Sequence, residues 1–228
     1  MVIHGSTIAV EDIKSFDYAK FRTLLERVAT NSTQTRSALP GGGFIETLGG
    51  ADNDAVCVFG PGVDLASQGA TGEINFVGEF TEDDDDQDWF IGIHSGALTG
   101  HTTGIFSATA ATLSTATAFG VSKLANLEFF RPVGGVVGTT DEGAQSATAY
   151  ASATTYHITI RWNVAKVVSG TAYVNAEVWV DGVLLQRFEM VACASAGIMY
   201  PCICMKATTA EAEVVEVARF QVGNVDTV

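Results

Sequence analysis

The stretch Tyr156–Met190 constrains the fold more than any other part of the chain. In its first run Tyr156, Ile158, Ile160, Trp162 and Val164 fall on one face, and His157, Thr159, Arg161 and Asn163 on the other. Successive side chains of a strand point to opposite faces, so this alternation predicts a half-buried strand. Val174, Ala176, Val178 and Val180 predict a second one. Asp181-Gly182 follows, and both central positions of a type I′ turn need positive φ, which Asp-Gly tolerates. A regular two-residue turn would pair Val180 with Val183 and Val178 with Leu185, carrying one apolar face through the hairpin.

The same texture runs upstream and downstream. Short apolar runs recur at 44–48, 55–59, 73–80, 89–93, 104–108, 127–130, 133–137, 198–205 and 214–222. Gly49-Gly50, Asp52-Asn53-Asp54, Gly60-Pro61-Gly62 and the acidic run 82–86 divide them, and 138–153 reads as a loop. About a dozen short strands with turn residues between them predict a mainly β fold, an antiparallel two-sheet sandwich over 41–228. Ahead of it, 1–40 is expected to form an arm. Tyr18, Phe21, Leu24, Leu25 and Val28 recur at helical spacing, which predicts a helix from Ser15 to about Ala29 with Ser15 as its cap. Thr30–Ser37 reads as a polar connector. A single amphipathic helix cannot make its own core, so Phe16, Tyr18, Phe21, Leu24 and Leu25 are the expected interface for attachment or self-association.

Charge narrows the partners. With 26 acidic and 12 basic residues the net charge is −14, which repels phosphate backbones and anionic membranes. The first ten residues lack the basic start and apolar core of a secretion signal, and no apolar run is long enough to span a bilayer. Synthesis and folding in a cytoplasm are therefore expected. The four cysteines, Cys57, Cys193, Cys202 and Cys204, lack metal-ligand spacing. Cys202 and Cys204 share a strand face, which predicts buried thiols, with a disulfide to Cys57 or Cys193 as the alternative.

Three segments occur together in a known fold family: Asp88-Trp-Phe-Ile-Gly-Ile93, Thr155-Tyr-His-Ile-Thr-Ile-Arg-Trp162 and Val178-Trp-Val-Asp-Gly-Val-Leu184. In this order they resemble the concanavalin A-like, laminin-G-like jelly rolls. The closing Met199-Tyr-Pro-Cys-Ile203, with a last strand through Val222, is similar to structural proteins of tailed bacteriophages that carry this fold. The resemblance covers roughly 44–223. It implies a virion component, a capsid decoration or cement protein arranged as a homo-oligomer, with capsid or other virion proteins as partners. A carbohydrate-binding, receptor-binding module of a tail fibre is the alternative.

Chemistry is sparse. Retaining glycosidases that resemble this architecture use a Glu-x-Asp-x-x-Glu strand to place two carboxylates about 5 Å apart. The nearest match, Glu82 to Gln87, ends in Gln, which cannot act as acid or base. Glu73 and Glu79 share a strand parity but would stand about 20 Å apart by strand rise. No enzyme is expected, and no cofactor. Calcium is the one metal considered, with Asp83, Asp84, Asp86 and Asp88 as candidate oxygen ligands and Asp52, Asn53 and Asp54 as a second set; neither has the EF-hand pattern, so a solvated acidic loop is the simpler reading. His4, His94, His101 and His157 are not spaced as ligands. Of the three tryptophans, Trp162 is expected in the core, and Trp179 either faces solvent or meets a partner.

Overall fold

The computed structural model describes residues 26–38, 43–52, 54–60, 62–65, 71–81, 87–95, 117–123, 129–136, 149–193 and 198–224. Among these, fourteen strands form two antiparallel sheets. The first sheet runs in the order β1 (Glu26–Thr30), β4 (Ala55–Phe59), β13 (Ile198–Ala207), β7 (Gln87–His94), β8 (Thr117–Lys123), β9 (Arg131–Val136), with the short β5 (Val63–Asp64) also pairing with β13. The second runs β12 (Val183–Cys193), β11 (Thr171–Val180), β10 (Thr154–Val168), β6 (Gly72–Thr81), β14 (Val214–Asn224), β3 (Phe44–Leu48), β2 (Ser32–Arg36). This is the expected sandwich.

The hairpin at its centre forms as the alternation requires. Asp181 and Gly182 both take positive φ, at 49° and 79°, and Val180 pairs with Val183. The Asp181 carboxylate also accepts the His157 backbone N–H at 2.8 Å, fastening the turn to β10. One expectation fails here. Val178 pairs with Gln186, not Leu185, because the ladder bulges between Trp179 and Val178. An extra residue on one strand shifts every later pair by one.

A second expectation fails at the N-terminal boundary. Glu26 to Ala29, expected as the end of a helix, lie in β1, and Ser32–Arg36, expected as a connector, form β2. Val28 pairs with Cys57 and Thr35 with Ile45, so edge hydrogen bonds of two sheets override the local helical spacing. The arm residues Phe16, Tyr18, Phe21, Leu24 and Leu25 lie outside the described residues, as do the 104–108 run and the candidate ligands Asp83, Asp84 and Asp86.

The core lies between the sheets. Tyr156, Ile158, Ile160 and Trp162 of β10, Val174, Ala176, Val178 and Val180 of β11, and Ile74, Phe76 and Phe80 of β6 meet Trp89, Ile91 and Ile93 of β7 and Phe119 and Val121 of β8. Aromatic rings bridge the gap: Phe80 stacks on Trp89 at 4.5 Å, and Phe130 meets Tyr156 edge-on at 4.9 Å. Such pairs add about 0.5–1.5 kcal/mol each beyond the area they bury.

A second apolar cluster lies on the other face of the first sheet. It comprises Cys57, Phe59, Phe90, Ala118, Val133, Cys202 and Cys204. Cys57 and Cys204 stand opposite one another on β4 and β13 and are joined by a disulfide. Buried thiols were the first expectation; it holds for Cys193 and Cys202, while Cys57 and Cys204 take up the alternative. Burial pushes the Cys193 thiol up to about 12 and raises that of Cys202 as well, so both stay protonated at neutral pH.

Candidate ligand-binding face

Where a ligand could meet this molecule follows from burial. Every position of β4, β7 and β8 is buried, on both faces. By contrast β6 and β11 alternate strictly between buried and half-buried positions, with the polar side chains outward. Between these strands, the accessible polar side chains lie on the outer face of the second sheet.

Register arranges that face in rows. Glu73, Arg161, Glu177 and Arg187 are successive partners across β6, β10, β11 and β12. Opposite charges directly across a ladder attract, and this row alternates acid and base over four strands. Arg161 Nε sits 2.5 Å from a Glu73 oxygen and Arg187 Nε 2.8 Å from Glu177 Oε1. The neighbouring row holds Asn75, Thr159, Trp179 and Leu184; the Thr159 hydroxyl donates to Asn75 Oδ1 at 3.0 Å. The row on the other side pairs Asn163 with Asn175.

These rows border a cleft of about 560 Å³, lined by Arg161, Asn163, Asn175, Glu177, Arg187 and Glu189 together with Thr71, Trp162, Ala176 and Phe188. Two backbone devices shape it. Gly72 lets the Trp162 indole lie against the β6 backbone, since a Cβ there would fall inside the ring. Met190, at φ 59°, marks a bulge in β12, and Asn175 Oδ1 accepts its N–H at 3.1 Å. Trp179 is half-buried beside the cleft, and its indole N–H donates to Glu177 Oε2 at 3.2 Å.

The other residues singled out by sequence fall elsewhere. Glu73 and Glu79 lie on the same face of β6, six residues apart; Glu73 is paired with Arg161, and Glu79 accepts from the Thr155 hydroxyl at 3.3 Å. Asp88 is 2% exposed and stands opposite Lys206 in the β7–β13 ladder. Asp54 accepts hydrogen bonds from Asn31 Nδ2 and the Ala51 N–H, so its carboxylate closes a turn. His94 is buried and His157 exposed. Among the described residues no three His, Cys, Asp or Glu side chains gather as a metal centre, and no helix is long and apolar enough to cross a membrane. Trp162 is core, as expected. Arg187 and Glu189, which complete the cleft, carried no sequence signal beyond lying after the Asp-Gly turn.

Among the described residues one acid is shifted upward, and it lies away from the cleft. Glu46, fully buried between the sheets, is raised above the usual carboxylate range by burial, against the pull of Arg27. Arg27 from β1 grips it with two bonds of 2.8 and 2.9 Å, and Gln34 from β2 adds a third. This cluster ties the two edge strands, which belong to opposite sheets.

Solved structures share this architecture. The potassium-bound carbohydrate recognition domain of Emp46p superposes with a TM-score of 0.59 at 10% identity, covering 92% of this chain and 93% of that one. An endo-β-1,4-glucuronan lyase from the fungus Trichoderma reesei gives 0.55 at 12% identity over 87% and 90%. A carbohydrate esterase from the Shiga toxin-encoding bacteriophage phi24B gives 0.55 at 10% identity over 88% and 90%. The fold is a lectin-like jelly roll. No protein-family model and no curated protein sequence matches the chain. At such identities the likeness extends to the fold alone, and one fold hosts both binding and catalysis.

Proposed function

We propose that this protein is a non-catalytic module that binds carbohydrate through the outer face of its second sheet and belongs to the surface of a bacteriophage particle. The observation that carries the binding is the cleft beside Trp179, where arginine, asparagine and glutamate side chains converge at one concave place. Sugars need such mixed donors and acceptors around an aromatic surface. The lectin-like fold supports the same reading. Absence of catalysis is supported by the use already made of the carboxylates: Glu73 and Glu177 each hold an arginine, which suits a fixed platform better than proton transfer.

The placement on a virion is supported by the resemblance of the closing segment, Met199–Ile203 with the last strand through Val222, to tailed-phage structural proteins. Capsid decoration is the second reading. Strands buried on both faces and crosslinked by Cys57–Cys204 suit a rigid shell component. In that reading the arm residues attach the domain to capsid proteins or to further copies of itself.

A broad glycan array with the whole chain, run with and without added calcium, tests the binding. The expected result is signal that falls at least about tenfold in Trp179→Ala, the loss of roughly 1.4 kcal/mol. Silence across the array would defeat it and leave the decoration reading. Labelled protein in micrographs of the particle tests the placement: label on the head supports decoration, label on fibre tips supports receptor binding, and no label on particles removes both. Turnover of a bound glycan, abolished by Glu73→Gln, would overturn the non-catalytic assignment.

A further inference from the structure

The cleft carries information about which sugars it takes. We infer that it accepts a neutral, hydroxyl-rich glycan and discriminates against acidic ones; this rests on the carbohydrate-binding reading above. Arg161 and Arg187 are the cations of the cleft, and each is held through Nε, by Glu73 and by Glu177. Glu189 lines the same space. Two guanidinium groups thus face three carboxylates, and the local surplus is negative. The whole chain adds a charge of −14. A carboxylate or sulfate on a ligand would sit beside Glu177 and Glu189 in a field that already repels it.

A neutral hydroxyl meets no such barrier, because it both donates and accepts. Arg161 and Arg187 are 55% and 64% exposed, and a guanidinium bound at Nε keeps its terminal N–H groups for a ligand oxygen. Asn163 offers both functions, and Asn175 has its oxygen bonded to the Met190 N–H and its amide nitrogen still able to donate. Glu177 and Glu189 accept. Trp179, half-buried at the margin of the cleft with its N–H turned to Glu177, leaves its ring carbons as the apolar surface nearest these groups.

The test is an array of neutral glycans and their sialylated, uronic and sulfated counterparts, probed with the whole chain at fixed salt. Neutral members are expected to bind, and acidic counterparts to bind at least about tenfold more weakly, a difference of roughly 1.4 kcal/mol. Arg187→Gln, which removes charge-assisted donors, is expected to weaken neutral binding by about tenfold while leaving the fold intact by circular dichroism. Glu189→Gln is expected to narrow the gap between neutral and acidic members. A preference for acidic glycans that depends on Arg187 overturns this inference and leaves the cleft as a carbohydrate site. An unchanged gap in Glu189→Gln overturns the role given to the cleft carboxylates. Silence from every glycan removes both readings.

Discussion

Strands β6 and β7 face each other across the sandwich and are of similar length, yet β7 is buried at all eight positions and β6 at alternate ones. On β7, Trp89 and Ile91 enter the core between the sheets while Phe90 enters the second cluster with Cys57, Cys202 and Cys204. On β6, Ile74 and Phe76 enter the core while Glu73 and Asn75 make hydrogen bonds at the surface. The inner faces are equivalent; the outer faces differ completely. A sheet covered on both faces can serve as scaffold but offers nothing to a ligand. A sheet covered on one face can hold a polar array rigid from beneath, which is what positions Arg161 and Glu177 over Trp162 and Ala176.

Mutations on matched outer faces are the sharpest way to break that comparison. Phe90→Ala, although it points away from the inter-sheet core, is expected to cost about 3–5 kcal/mol in urea unfolding, as a buried aromatic does. A cost below about 1 kcal/mol would show that this face is not packed as β7 requires. The next effect is the Cys57→Ser, Cys204→Ser double variant, expected to lose about 2–4 kcal/mol because the bond closes a long loop in the unfolded chain. Reductant should produce the same shift in the parent and none in the variant.

Glu46 tests how the edges of the two sheets are joined. Burial raises its pKa in the folded state, so its contribution to stability is fully present below the ordinary value of 4.5 and is lost as pH rises through the raised one. The stability of the parent relative to Glu46→Gln is therefore expected to decline as urea midpoints are compared from acid to neutral pH. A relative stability that grows with pH would mean that Arg27 outweighs desolvation. The smallest effect belongs to the polar face: Arg187→Gln, at an exposed pair, is expected to change stability by no more than about 1 kcal/mol while weakening glycan binding. A large loss of stability would make this row structural rather than functional.

Much of this architecture is legible in the residues themselves. Alternation in 156–164 and 174–180 marks the buried faces, and Asp181-Gly182 marks the turn, because both depend on short-range chemistry. The cleft was not legible for a specific reason. In a regular ladder Glu177 would stand opposite Gln186; the bulge at Leu185 brings Arg187 there instead. Nothing in Val-Leu-Leu-Gln-Arg announces a bulge. The helix expected through Ala29 failed for a related reason, since Val28 answers to Cys57 on β4 rather than to its neighbours in sequence.

By itself, then, the sequence determined a sandwich with an alternating central hairpin and an excess of acidic side chains, since period, turn chemistry and charge are local properties. Only the tertiary structure decided that the strands β4, β7 and β8 are buried on both faces, that Cys57 bonds Cys204 across 147 residues, and that Arg161, Glu177 and Arg187 form a row beside a cleft. Those facts depend on which strands become neighbours and in what register, and pairing between distant segments is settled by the packing of the whole core.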